Sequence, residues 1–258
     1  MSLSTETWDS TRDNGKTSNS QPSVVPVIQY HMIDLPSPSS RVRGGFTPQQ
    51  RFAKQMGHLI ARGYKFLTAS ELIEHYLQNG RFPPRGITVT FDDGCRDNYT
   101  NAFPVLRELG IKATMFIVPS AMGQISASTL PEGEPPRPHL SRDEILEMSK
   151  IGIEFGSHTM NHRLLNEIPM ADVKYEVESS KRVLEDLLQT ACKTFAYPAG
   201  YYNAEVERVV ESAGHICAFS TVYGPTDRID LFAMNRMEIL RRDRFICHFA
   251  RKLNKLPR

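Results

Sequence analysis

Cysteine is scarce in this chain of 258 residues: there are four, Cys95, Cys192, Cys217 and Cys247, and no two form a CxxC pair. That excludes a disulfide framework of the small secreted kind and a paired-thiolate zinc site, and leaves buried or free thiols. Long apolar runs are missing too. Met1 to Asn19 has no hydrophobic segment behind a basic start, and no stretch approaches the roughly 18 apolar residues of a membrane span. As given, the chain reads as soluble and cytoplasmic, or as extracellular or periplasmic if a signal has been removed. Nor is there an excess of one charge, since 31 Lys and Arg against 29 Asp and Glu leave +2. A nucleic-acid surface would need clustered basic excess, so no polyanionic partner is expected. Oligomeric state is not legible.

What is present is globular. Hydrophobic residues make up 40% and charged residues 23%, close to the norms for a folded domain, and the length suits one α/β domain. Met1 to Ser23 is polar and without periodicity, which predicts a disordered tail. The folded domain is expected over 24–258. Val24 to Tyr30 has the length and β-branching of a buried strand. Thr47-Pro48-Gln49-Gln50 predicts a helix start, with Thr47 as N-cap and the helix running to about Arg62. Ala69 to Gln78 predicts a second helix, stopped by Asn79-Gly80.

From there strands and helices alternate: strand Gly86 to Phe91, helix Asn101 to Leu109, strand Ala113 to Val118. Ser120 to Leu140, with four prolines and two glycines, reads as a long loop insertion at about 120–140. Then come helix Ser141 to Lys150, strand Ile153 to Ser157, helix Met170 to Leu188, strand Thr194 to Tyr197, helix Asn203 to Ala213 and strand Ile216 to Thr221. This alternation implies a parallel sheet, either a barrel or an open doubly wound sheet.

Two groups of residues carry chemistry. Asp92-Asp93-Gly94 follows directly on a strand, and the C-terminal ends of parallel strands are where such folds place their sites. Neighbouring side chains on extended backbone diverge, so two adjacent carboxylates can take different tasks, one on a metal and one beside it. A solvated DDG turn is the bland alternative. His158-Thr159-Met160-Asn161-His162 follows another strand, and imidazoles four apart on one helical turn lie within reach of a single ion. A carboxylate and two imidazoles, with a position left for water, is a hydrolytic zinc arrangement. A third segment, Phe195-Ala196-Tyr197-Pro198-Ala199-Gly200, is by itself only a strand and a proline turn.

In order, Thr90-Phe91-Asp92-Asp93-Gly94, Ser157-His158-Thr159 through His162, and Tyr197-Pro198-Ala199-Gly200 resemble the motif set of the polysaccharide deacetylases (NodB-homology domain, carbohydrate esterase family four). The resemblance covers roughly Val24 to Ile239. It implies a distorted, incomplete (β/α)7 barrel and a metal-dependent hydrolase that removes N-acetyl groups from N-acetylglucosamine-containing poly- or oligosaccharide. Asp93, His158 and His162 would hold one divalent ion, zinc first and cobalt, nickel or manganese as alternatives. Asp92 would be the base for a water activated by the metal, and a backbone N–H near Ala199, beside Tyr197 and Pro198, would hold the oxyanion.

Two departures stand out: Ala196 occupies the place of an arginine common in the family, and no C-terminal Leu-x-His is present. Val27-Ile28-Gln29-Tyr30-His31 resembles instead the branch related to poly-N-acetylglucosamine deacetylases, in which an N-terminal strand-end histidine is the acid. His31 is the candidate there, against a histidine simply packed at a strand end. Arg236 is the candidate partner of Asp92, against a surface arginine. The alternatives to the whole reading are a same-fold hydrolase of another amide, a carbohydrate-binding protein whose catalysis has decayed, and a βα signalling module with a magnesium site at Asp92-Asp93.

Overall fold

The computed structural model describes residues 25–41, 43–131, 133–221 and 229–254. The tail expected over Met1 to Ser23 lies outside them. The first strand, β1 (Val27–Tyr30), is buried along its whole length. Helix α1 (Gln49–Ala61) follows, then β2 (Lys65–Phe66) and α2 (Ala69–Asn79). Thr47 does not cap α1. Its N–H is drawn back to the Met32 carbonyl at 2.9 Å, Pro48 takes the N-cap position with extended ψ, and no side chain caps the helix. In α2 the capping is reciprocal, Thr68 with Glu71, and Gly80 closes the helix at φ 66°, a conformation open to glycine.

Strand β3 (Gly86–Phe91) leads into a π-helical turn, Asn98–Ala102, and α3 (Phe103–Glu108). After β4 (Ala113–Ile117) the expected patternless insertion holds a two-stranded antiparallel hairpin, β5 (Ile125–Ser126) with β6 (Arg137–Pro138). The hairpin is pinned to the site loop, for Arg96 N–H donates to Pro138 O at 2.8 Å and Leu140 N–H to Gly94 O at 2.9 Å. Next come α4 (Arg142–Ser149), β7 (Ile153–Ser157), α5 (Met170–Leu188), β8 (Thr194–Ala196), α6 (Ala204–Ser212), β9 (Cys217–Phe219), β10 (Met237–Glu238) and α7 (Ile246–Leu253).

Seven strands form one parallel path, β10-β1-β3-β4-β7-β8-β9, and β2 pairs beside β3. The six residues of β3 are all buried, as a strand covered on both faces requires. The path curls. The rings of Phe116 on β4 and Phe219 on β9 are 5.7 Å apart at their centroids, whereas three strand spacings on a flat sheet would separate them by about 14 Å. The curl stops short of closure: among the described residues β9 and β10 are not paired as strands, and the bridge Phe219 to Met234 lies between the two edges. The result is an incomplete (β/α)7 barrel, which leaves the C-terminal end of every strand in the path on one rim.

Candidate metal centre and active site

The rim carries a cavity of about 620 Å3, and its lining comes from strand ends: His31 after β1, Asp92 and Asp93 after β3, His158 and His162 after β7, Ala199 after β8, Thr221 after β9, and Glu238 on β10. The insertion supplies a further wall through Ser128 to Pro131. Backbone conformation marks the same place. Six described non-glycine residues have positive φ, and four of them, Asp93, Thr159, His162 and Ala199, belong to these loops. Such conformations cost of order 1–3 kcal/mol each and persist only where the surroundings enforce them.

Asp93 Oδ1 lies 3.6 Å from His158 Nε2 and 3.4 Å from His162 Nε2. One donor atom from each of the three falls within 4.8 Å of the others. The His158 Nδ1–H donates to Ala196 O at 2.7 Å, which leaves Nε2 with its lone pair turned to the carboxylate. Two lone-pair atoms facing each other need a cation between them, so the donor set fits a divalent metal. With no metal bound, burial would raise the Asp93 carboxyl, but hydrogen bonds from protonated His158 and His162 more than reverse that and hold it well below the usual carboxylate range. The pair does not stand on a helical turn as its spacing predicts. Thr159 and His162 are left-handed, and buried Glu176 of α5 clasps the loop, accepting from the Asn161 N–H at 2.7 Å and its Nδ2 at 2.8 Å.

Asp92 is buried and held from two sides. Arg236 donates to both its oxygens at 2.7 Å, and Gln29 Nε2 donates to Oδ2 at 2.7 Å. Burial pushes the Asp92 carboxyl up, while Arg236, then His158 and His31, pull it below its ordinary value. Arg236 is fully buried, not at the surface. It also donates to Ser220 O at 3.1 Å and Thr90 Oγ1 at 3.2 Å, spanning the open seam of the barrel.

His31 lines the cavity, with Nδ1 3.9 Å from Glu238. Of Tyr197, Pro198 and Ala199 only the last lines it; the Tyr197 hydroxyl turns away to donate to Phe232 O at 2.9 Å. Ala199 is left-handed, and the next residue must be small, because a Cβ on Gly200 would meet Thr221 Oγ1 at 2.2 Å. Cys95 is buried outside the cavity lining, its thiol raised well above the ordinary value by burial. His215 is buried against Phe195, with the backbone of Cys192 and Lys193 beside its ring. His248 is exposed on α7. Glu176 and Glu238 carry no motif that sequence reasoning recognises, and nothing within Val27 to His31 marks Gln29 as a partner of Asp92.

The comparisons agree with this geometry. Over 220 residues the chain is 29% identical to YxkH of Bacillus subtilis, spanning 85% of this chain and 72% of that one. It is 31% identical over 193 residues to the poly-β-1,6-N-acetyl-D-glucosamine N-deacetylase of Staphylococcus aureus, spanning 71% of this chain and 64% of that one. In structure it is similar to the Streptococcus pyogenes deacetylase PplD in complex with acetate, with a TM-score of 0.72 at 25% identity, covering 85% of this chain and 94% of that one. The family model for polysaccharide deacetylases matches residues 79–218, more than half the chain, from the end of α2 into β9 and across Asp93, His158 and His162. The chain therefore belongs to the polysaccharide deacetylase family of hydrolases.

Proposed function

We propose that the protein hydrolyses the N-acetyl group of N-acetylglucosamine units in a poly- or oligosaccharide, with one divalent metal on Asp93, His158 and His162. The observation that carries this is the convergence of those donors with an arginine-held second carboxylate in one rim cavity. The carboxylate and two imidazoles suit zinc. When bound, such an ion polarises the acetamide carbonyl and acidifies a water.

The remaining work falls to the chain. Asp92 stays ionised, fixed by the Arg236 fork and Gln29, and accepts the proton of the attacking water. A main-chain N–H near Ala199 stabilises the oxyanion. His31 delivers a proton to the departing amine, and the Glu238 carboxylate, 3.9 Å from its Nδ1, favours the charged ring. Acetate and the free amino sugar leave. The name of the staphylococcal relative supports the substrate class.

The test is metal content of the purified chain together with acetate release from a panel of N-acetylglucosamine oligomers. His158→Ala should lose both the metal and turnover. If that variant keeps stoichiometric metal and full activity, the site is misassigned.

A further inference from the structure

A second cavity of about 520 Å3 opens on the same rim, lined by Arg43, Gly44, Arg241, Arg242, Arg244 and His248. Its charge is uncompensated. Among the described residues none of these four arginines makes an ion pair. The one acid in the segment, Asp243, is buried and committed elsewhere, to Lys252 Nζ at 2.5 Å and the Leu240 N–H at 2.9 Å. Arg43 donates only to the neutral carbonyls of Ser40 and Pro38, each at 3.4 Å. Behind the cavity, Arg51 is pushed below its ordinary value by burial and then by Arg241 and Arg244. The near-zero net charge of the chain is a sum over its whole length, and it conceals this local concentration.

The basic cavity shares a wall with the catalytic one. Gly45 lines the catalytic cavity and Gly44 the basic one; Glu238 lines the first and Arg241, three residues on, the second. The two segments are tied together where they meet, by Arg241 N–H donating to Gly44 O at 2.8 Å. A glycan with its reactive sugar against Asp93 would thus extend past this wall.

We propose that the basic cavity is a phosphate subsite, engaging a phosphate ester carried by the glycan next to the N-acetyl sugar being hydrolysed. The proposal rests on the deacetylase reading above. Planar guanidinium forks match phosphate oxygens two at a time, and four arginines exceed what one carboxylate can occupy. An all-neutral glycan would leave their charge unmatched, and one already carrying free amines would be repelled. An anionic membrane is the competing partner, because Phe245 and Ile246 are exposed beside the cluster. Against it, the arginines adjoin the catalytic wall through Gly44 and Arg241, and Arg244 covers the Phe245 ring at 4.9 Å.

Binding is read without turnover, by calorimetry of the full chain with N-acetylchitotetraose and with the same oligomer phosphorylated at C6. The phosphorylated oligomer should bind more tightly at low salt. Arg241→Gln/Arg244→Gln should weaken that binding roughly tenfold, at up to about fivefold per exposed charge pair, and leave the neutral oligomer's affinity in place. Arg241→Lys/Arg244→Lys should restore part of it. Equal affinity for the two oligomers, or equal loss on both, overturns the subsite. So does a pair of variants that bind both oligomers normally but no longer sediment with phosphatidylglycerol vesicles, which would assign the patch to a membrane. Acetate release, measured separately, tests the deacetylase reading: its absence with both oligomers defeats that reading even where the phosphate preference holds.

Discussion

Arg236 and Asp92, 144 positions apart in the chain, meet as a buried bidentate pair with both hydrogen bonds at 2.7 Å. The guanidinium is fully buried and the carboxylate nearly so. Such a pair is costly to separate, since removing one partner strands a charge away from water. Arg236 also bonds Ser220 beyond β9 and Thr90 on β3, so a single side chain both holds the carboxylate and spans the seam that strand pairing leaves open.

Arg236→Ala should therefore destabilise the fold by about 3–5 kcal/mol and cripple turnover as well. A double-mutant cycle with Asp92→Asn, read by denaturant unfolding, separates the pair from general packing. The double variant should recover much of the loss, because no unpaired charge remains. Strictly additive losses would mean the two residues are not coupled.

Glu176 is the second candidate positioning residue, since it grips Asn161 from α5, next in the chain to the proposed ligand His162. Outer partners of metal ligands typically contribute 10–100-fold to affinity, and Glu176→Ala should weaken zinc by that order while Asp93 and His158 remain. Competition with a chelator of known affinity measures it. Unchanged zinc affinity would remove Glu176 from this role.

Much of this architecture is legible in the sequence, and the losses have physical reasons. Helix α5 has the same bounds in the structure as its periodicity predicts, Met170 to Leu188, because nineteen residues repeat the pattern several times over. The two acids and the first histidine are legible as strand ends. Strands β2 and β10 are not, because two residues carry no periodicity, and with β10 went the means to decide between a buried and a surface Arg236. The spacing of His158 and His162 reads as helical because positive φ at Thr159 and His162 leaves no mark in residue type. Gln29 was invisible as a partner of Asp92, since its place depends on the register of β1 against β3, where it faces Thr90.

His215 gives the chain an acid-sensitive point. Its position after the α6 C-terminus suggests a helix-dipole role, but burial dominates and pushes its pKa down to about 3, with Lys181 adding to the shift. The unfolded chain binds the proton near pH 6.5 and the folded chain does not. Stability from this group is therefore present above about pH 6.5 and is lost as pH falls toward 3, by an amount on the order of 5 kcal/mol. His215→Leu should flatten the dependence of the urea midpoint on pH across that window. An unchanged slope would show that the imidazole is not the group responsible.

His31 is proposed to deliver the proton to the leaving amine, in preference to His248 and His215. It stands beside Asp92 because β1 and β3 run parallel in register, with Tyr30 opposite Phe91, and both next residues line the catalytic cavity. His248 instead lines the arginine cavity, and His215 has no path to the rim from its burial against Phe195. A positioned acid contributes about 10²–10⁴-fold, so His31→Ala should lose that much kcat on an N-acetyl substrate while keeping its metal. A structural role would cost every substrate alike; an acid role would not. The loss should shrink sharply with p-nitrophenyl acetate, whose phenolate departs without a proton. If His31→Ala keeps near-normal kcat on the amide while His248→Ala is crippled, the acid comes from the C-terminal helix and the strand-end assignment is wrong.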